Sequence, residues 1–354
     1  DGIRDWSVTG VQTCALPIWL FTFFVLFETT IIPISLSILG WGQTPERTSA
    51  TLYIFLYTFL AATPLLVFLV IYQDEKILTF SNSCLSENSF SAFLLVVRIL
   101  AFLVKLPQFL LHSWLLKAHV EAPTPSSMLL ARLLLKLGGY GLYLIFLFFP
   151  RTSFIVINFL LPLSVWGGLC SALLCIRQTD LKIIVALSSI RHIALVRMGI
   201  FLKTDTSRRG AFLLMIAHGL NSSGLFFIVG LFSAVTGTRR IFLNKRFKPL
   251  VGAFLFQWAA LCILNIGVPP SLNFIREIII IFSLTSFSTY LLFLILLLAF
   301  ITGVYSFYLF SLISHNKNSN FSPVTPFLLL KNHLLRIVHW LPLLALVFKS
   351  SIFT

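Results

Sequence analysis

Apolar runs of about twenty residues alternate with short polar clusters along nearly the whole chain, a spacing that predicts stacked membrane-spanning helices. The runs cover residues 19–39, 52–72, 90–114, 126–149, 154–176, 183–201, 211–234, 250–284, 290–312 and the shorter 333–348. They lack the period-two alternation in ten-residue segments that a membrane barrel requires. The predicted fold class is therefore all-α: a polytopic membrane bundle of about ten transmembrane helices.

Two runs carry their own interruptions. Pro107 follows Lys105 closely in the third, and proline removes a backbone donor and clashes with the preceding turn. The stretch 250–284 is too long for one crossing at about 1.5 Å per residue, so VPPSLNFIRE (268–277) is expected to divide it. Broken helices at membrane depth expose backbone groups to ions and water, and a pair of them marks the inverted repeats of many transporters.

Composition agrees with this pattern. The 354 residues are 58% hydrophobic and 10% charged, against about 25% charged in a soluble domain; mean hydropathy is +0.97. The formal charge of +15 falls partly in short loops such as KTDTSRR (203–209) and RRIFLNKRFK (239–248). A membrane face accounts for such loops, and nucleic acid is not an expected partner. Cys14, Cys84, Cys170, Cys175 and Cys262 have no CxxC spacing and read as unpaired. Residues 1–18 lack the basic and apolar regions of a signal peptide. They resemble a translated sequencing adapter and are expected to be a non-native segment, with the membrane domain at 19–354.

The candidate chemistry is the set of ionisable groups inside apolar runs: Glu28, Lys105, Lys136, His192, His218 and Glu277. Such groups are expensive in lipid, so they face a wet or protein-lined interior and mark an ion or proton path. Burial raises a carboxylate's proton affinity and lowers a lysine's, and pairing pulls both back toward the ionised forms. Groups so adjusted on several helices can pass protons along the plane of the bilayer. The packing alternative stays open for the histidines: His218 bonded to Ser222, and His192 near a loop end. Lys117, His119 and Glu121 beside Pro123 read as interfacial charges in a loop, and GGYG (138–141) as a flexible stretch.

Seven motifs carry a resemblance: FETTIIP (27–33), FLVKLP (102–107), LHSWLLKAHVEAP (111–123), LLKLGGYG (134–141), RQTDLK (177–182), MIAHGL (215–220) and VPPSLNFIRE (268–277). Together they resemble the chain 4 family of antiporter-like membrane subunits of mitochondrial NADH:ubiquinone oxidoreductase, respiratory complex I. The resemblance implies an antiporter-like fold of fourteen helices, of which the runs here match helices five to fourteen, an N-terminally truncated fragment. It implies proton translocation in the inner mitochondrial membrane. It also gives each group a role: Glu28 and Lys105 a modulating pair, Lys136 the central relay residue, His192 and His218 members of the hydrophilic axis, and Glu277 the exit group. Neighbouring antiporter-like subunits and lipids are the implied partners. NADH, FMN, iron–sulfur clusters and ubiquinone belong to the whole complex, and none is expected on this chain.

Some positions depart from the family pattern. Leu116 stands where proline is usual, and Arg132, Arg191 and Arg276 stand where small residues are usual; Arg98 and Arg197 also lie in apolar runs. Methionine numbers only 3. One cause accounts for both oddities if a mitochondrial gene reading AGA/AGG as Ser or Gly and AUA as Met was translated with the standard code. The alternative is genuine arginines reaching into wet cavities. Two other functional readings remain: a subunit of a multisubunit cation/proton antiporter, and a passive membrane anchor whose charges pair only locally.

Overall fold

The computed structural model describes residues 21–42, 44–71, 88–148, 154–241, 252–314 and 330–348. Residues 1–20, the polar segment 72–87 and most of the basic loop after Ile241 lie outside them, and Cys14 and Cys84 with them. The described chain is helical: α1 (Phe21–Trp41), α2 (Arg47–Ile71), α3 (Asn88–Lys105), α4 (Ser113–Glu121), α5 (Thr124–Leu129), α6 (Leu135–Phe148), α7 (Phe154–Arg177), α8 (Leu181–Phe201), α9 (Asp205–Thr236), α10 (Gly252–Ile266), α11 (Leu272–Thr285), α12 (Thr289–Ser314) and α13 (Leu330–Phe348). Seven of the described helical stretches are long and apolar enough to cross a bilayer by themselves, with α5 and α6 counted as one stretch. The pairs α3/α4 and α10/α11, with α13, supply the other three expected crossings.

α8 is the axis of the bundle. Nearly every residue from Leu181 to Phe201 is buried, as expected for a helix packed on all sides, and α7 and α9 flank it. By contrast α1, α2 and α12 leave large apolar side chains exposed, among them Leu26, Phe59 and Phe300, as lipid-facing helices do. A short backbone ladder ties the turn before α8 to the chain leaving α9. Leu181 N–H donates to Arg239 O (3.1 Å) and Ile241 N–H to Thr179 O (2.8 Å).

Both breaks fall where proline predicts them. α3 stops at Lys105, and the chain crosses Pro107 and Leu110 (φ 83°) before α4 begins. Positive φ is costly for a leucine, so this loop holds backbone strain that the surrounding packing must maintain. The carbonyls left free are met by side chains. Trp114 Nε1 donates to Val104 O (3.0 Å), and Arg197 Nη1 donates to Leu106 O (3.3 Å) and Pro107 O (2.8 Å). The second break opens at Gly267 (φ 82°) and passes the cis Pro269–Pro270 bond. Ser271 then caps α11 by accepting from Phe274 N–H (3.2 Å), while Asn273 Nδ2 donates back to Leu264 O (2.8 Å).

Two local readings of the sequence are corrected. The GGYG stretch lies inside α6, where its glycines permit close approach rather than flexibility. A Cβ on Gly141 would fall within the Phe102 ring of α3, and one on Gly139 would meet the Met215 sulfur of α9. The segment holding Lys117, His119 and Glu121 is helix α4, not loop, and His119 and Glu121 are buried in it.

Candidate functional site

Glu28 projects from α1 toward the end of α3, where Lys105 is the last helical residue before the break. Lys105 Nζ stands 2.8 Å from Glu28 Oε1, donates to Phe27 O (3.1 Å) and lies 3.2 Å over the Phe27 ring. The lysine is 1% exposed and the glutamate side chain 24%, so this is an inner ion pair with one wetter partner. A carboxylate, a carbonyl and an aromatic face together supply what a desolvated ammonium needs.

Lys136 follows a local irregularity that the sequence did not reveal. Between α5 and α6 the backbone widens into one π-helical turn, Leu130–Leu134, a feature that often accompanies functional positions within helices. Lys136 Nζ donates back to Ala131 O at 2.5 Å. Its stem occupies space that α9 leaves open at Gly219, where a Cβ would come within 3.2 Å of Lys136 Cε. No carboxylate forms a salt bridge with Lys136 among the described residues. It lies within electrostatic range of His218 and of His119.

The remaining candidates converge between α8, α9, α10 and α11. Arg191 holds Glu277 with two bonds, Nη1–Oε1 at 3.0 Å and Nη2–Oε2 at 3.3 Å. His192 completes the cluster. Its Nε2 lies 3.0 Å from Asn265 Oδ1, and its Nδ1 lies 2.9 Å from Arg191 Nη1 and 3.3 Å from Glu277 Oε1. Asn221 Nδ2 also donates to Asn265 Oδ1 (3.3 Å), so that oxygen is an acceptor and His192 Nε2–H a donor. The neutral ring therefore accepts from Arg191 at Nδ1, and a proton added at Nδ1 turns the same atom into a donor toward Glu277. His218 stacks on His192, ring centroids 4.9 Å apart. Neither ring nitrogen of His218 has a hydrogen-bond partner among the described residues.

The six candidates thus form a Glu28–Lys105 pair, a Lys136 position against α9, and a His218–His192–Glu277 cluster. Two details differ from expectation. Ser222 does not bond His218; its hydroxyl donates to Gly219 O (3.4 Å). Arg276, next to Glu277 in sequence, is not the cation on that carboxylate, because successive helical side chains point about 100° apart. Arg191, eighty-six residues away, takes that place. Asn221 and Asn265 were missed as site residues, although an amide inside an apolar helix was the available signal. The five arginines fare differently. Arg191 and Arg197 have carboxylate and carbonyl partners, and Arg98 lies over the Phe68 ring (4.3 Å). Arg276 is buried with Nε and Nη2 lacking hydrogen bonds among the described residues, and Arg132 is exposed.

Ionisable groups lining the inside of a membrane bundle, beside two broken helices, define the class of ion-translocating membrane subunits. Residues 19–302 match the family described as NADH:quinone oxidoreductase/Mrp antiporter, TM, and the chain belongs to this family. It is 39% identical over 341 residues to NADH-ubiquinone oxidoreductase chain 4 of Petromyzon marinus, spanning 94% of this chain and 74% of that one. Its identity to the Ceratitis capitata chain 4 is also 39%, over 336 residues and 94% and 75% of the two chains. The fold is shared with a chain of respiratory complex I from Thermus thermophilus with bound NADH (TM-score 0.83, 22% identity, 94% of this chain and 72% of that one). It is shared as well with a chain of the Mrp complex from Dietzia sp. DQ12-45-1b (TM-score 0.74, 22% identity, 91% and 36%).

Proposed function

We propose that this chain is a proton-translocating membrane subunit of respiratory complex I in the mitochondrial inner membrane. It would link NADH-to-ubiquinone electron transfer to proton movement, with residues 19–354 as the translocating domain. One observation carries the reading: titratable groups from separate helices meet the interior in sequence, from Glu28–Lys105 through Lys136 to His218, His192 and Glu277. The names of the chain 4 relatives, at 37–42% identity, support the complex and the compartment.

In this reading Glu28 holds the proton of Lys105 while the two are paired and lets it go when they part. Lys136, bonded to a carbonyl and to no carboxylate among the described residues, accepts and releases a proton without first breaking an ion pair. His192 passes charge by exchanging its Nδ1 partner between Arg191 and Glu277. NADH, FMN, iron–sulfur clusters and ubiquinone act in other subunits, and neighbouring antiporter-like subunits flank this one.

The test is Lys136→Ala in the assembled complex. Quinone-linked proton pumping should fall roughly tenfold or more, while NADH oxidation by artificial acceptors stays near normal because no redox centre is touched. An assembled variant with the wild-type proton-to-electron ratio sinks the central role. The family description and the Mrp neighbour keep cation/proton antiport as a second reading; pumping that tracks a sodium gradient rather than quinone reduction would favour it.

A further inference from the structure

A cavity of about 160 Å³ opens between the start of α2 and the end of α4, lined by Glu46, Ser49, Lys117 and Glu121 among apolar neighbours. It lies at the end of the bundle where α1 closes on Trp41, 73% exposed, before the polar turn into α2. An outward tryptophan beside polar backbone marks the headgroup level of a bilayer. A solvated surface accounts for Glu46 and Lys117, which are exposed. It does not account for Glu121, which is 6% exposed and whose Oε2 has no hydrogen-bond partner among the described residues. Buried polar atoms are almost always satisfied.

Two cations stand within electrostatic range of this carboxylate without taking it. Arg239 Nη1 donates to Val120 O (2.6 Å) and Lys182 Nζ to Ala122 O (2.8 Å). Neither forms a salt bridge with Glu121 among the described residues. Glu46 is within electrostatic range too, which adds a second carboxylate. Ser49 Oγ–H donates to Glu46 O (2.7 Å), so its lone pairs are left to accept. Two carboxylates and one hydroxyl oxygen match the three N–H donors of a primary ammonium. Lys117 supplies the opposite charge. Its Nζ sits 3.6 Å over the Tyr53 ring of α2, a contact that spends no directional hydrogen bond and leaves N–H groups for an anion. Along α2 from the cavity, Tyr53, Leu56, Leu60 and Val67 turn outward, spaced so that they continue the line of Ser49 on one helix face.

We propose that this cavity holds the headgroup of a phosphatidylethanolamine lipid. The ammonium donates to Glu121, Glu46 and Ser49, the phosphate accepts from Lys117, and the acyl chains lie along the outward stripe of α2. A choline headgroup has no N–H to give and is held by aromatic faces instead; among the described residues lining the cavity none is aromatic. An anionic headgroup without an amine would gain Lys117 but set its charge against two carboxylates. A lysine from a neighbouring subunit would satisfy the carboxylates and leave Lys117 and the apolar stripe without a role.

The test uses the assembled complex in phosphatidylcholine vesicles doped with a trace of lipid probe. The probes are a phosphatidylethanolamine and a phosphatidylcholine that carry the same photoreactive diazirine on one acyl chain, and labelled peptides are mapped by mass spectrometry. The ethanolamine probe should label α2 around Leu56 and Leu60 roughly tenfold more than the choline probe, about the worth of one charge-assisted hydrogen bond. Both probes should label the outward face of α12 around Phe300 equally. Glu46→Gln combined with Glu121→Gln should abolish the preference at α2, and Lys117→Gln should lower ethanolamine labelling there. Equal labelling of α2 by the two probes in the unsubstituted complex overturns the proposal. So does a preference that survives the double substitution. Labelling of α12 but not of α2 by either probe overturns it as well, and shows that a neighbouring subunit covers this face. The first comparison needs no substitution, so it decides the matter even where a variant fails to assemble.

Discussion

At the scale of single residues, the charged candidates were legible because a charge inside an apolar run has few reasons to be there. Their partners were not legible. Nothing in the sequence says that Glu277 meets Arg191 across the bundle rather than Arg276 beside it, or that His192 shares Asn265 with Asn221. His119 was misread because its neighbours Lys117 and Glu121 made the segment look like a loop. At Glu28 the paired geometry predicts that Glu28→Gln slows pumping, because the amide no longer favours the charged form of Lys105 (Nζ–Oε1 2.8 Å); Glu28→Asp should recover part of the rate. Equal pumping by Glu28→Gln and wild type would remove the pair from the mechanism. The arginines call for a nucleotide sequence. Under the standard-code reading, AGA or AGG stands at Arg98, Arg132, Arg191, Arg197 and Arg276, with CGN codons enriched in loop 239–248, and Arg191 then drops out of the cluster around Glu277. CGN at position 191 would instead make the Arg191–Glu277 clamp genuine. Arg191→Leu would then strand a buried carboxylate at a cost of about 3–5 kcal/mol, visible as a lower melting temperature of the assembled complex.

At the scale of elements, run length and proline located the long helices and both breaks, although the third run was ended at 114 and most of α4 (Ser113–Glu121) was read as loop. The physics is local: a missing N–H or an overlong apolar run is visible in one segment. What escaped needs two segments at once. The glycine contacts of α6 exist because α3 and α9 pack closely against that helix, and a one-dimensional pattern carries no record of that packing or of the π turn before Lys136. Gly141 gives the sharpest consequence. Its missing Cβ is replaced by the Phe102 ring, so Gly141→Ala must push α6 away from α3 or move the ring. The expected loss is about 1–3 kcal/mol, the usual range for overpacking, read as reduced thermal stability of the complex. Phe102→Leu in the same chain should recover part of it, because the smaller side chain vacates the space. A Gly141→Ala complex as stable as wild type would mean that α3 and α6 do not approach this closely.

At the scale of the whole molecule, burial is graded from a fully enclosed α8 to peripheral helices that turn apolar side chains outward. On α12 the exposed ones recur at Phe293 (66%), Phe300 (70%) and Phe307 (65%), seven residues apart and so on one face. The buried Leu291, Ile295, Leu298, Thr302 and Tyr305 turn toward α7 and α10, the neighbours α12 packs against most. Hydrophobic composition announced the membrane but could not separate these two faces, because lipid and protein interior select the same residue types. A charge separates them. Phe300 lies near the middle of α12, where an aspartate facing hydrocarbon costs about 2.5–3.5 kcal/mol on insertion scales, so Phe300→Asp should sharply lower the amount of subunit found in the membrane. Phe300→Leu should leave it unchanged, since either side chain suits lipid. Inward, Leu298→Asp should be as damaging for a different reason: it places an unpaired carboxylate against packed helices. The two defects part company when Thr302→Lys is added to each. Thr302 is buried on the inner face, one helical turn beyond Leu298. An aspartate at 298 can recover in part by pairing with that lysine, whereas one at 300 points to the other side of the helix and cannot. Normal membrane levels of Phe300→Asp would show that this face of α12 meets water or a polar partner instead of an apolar surround.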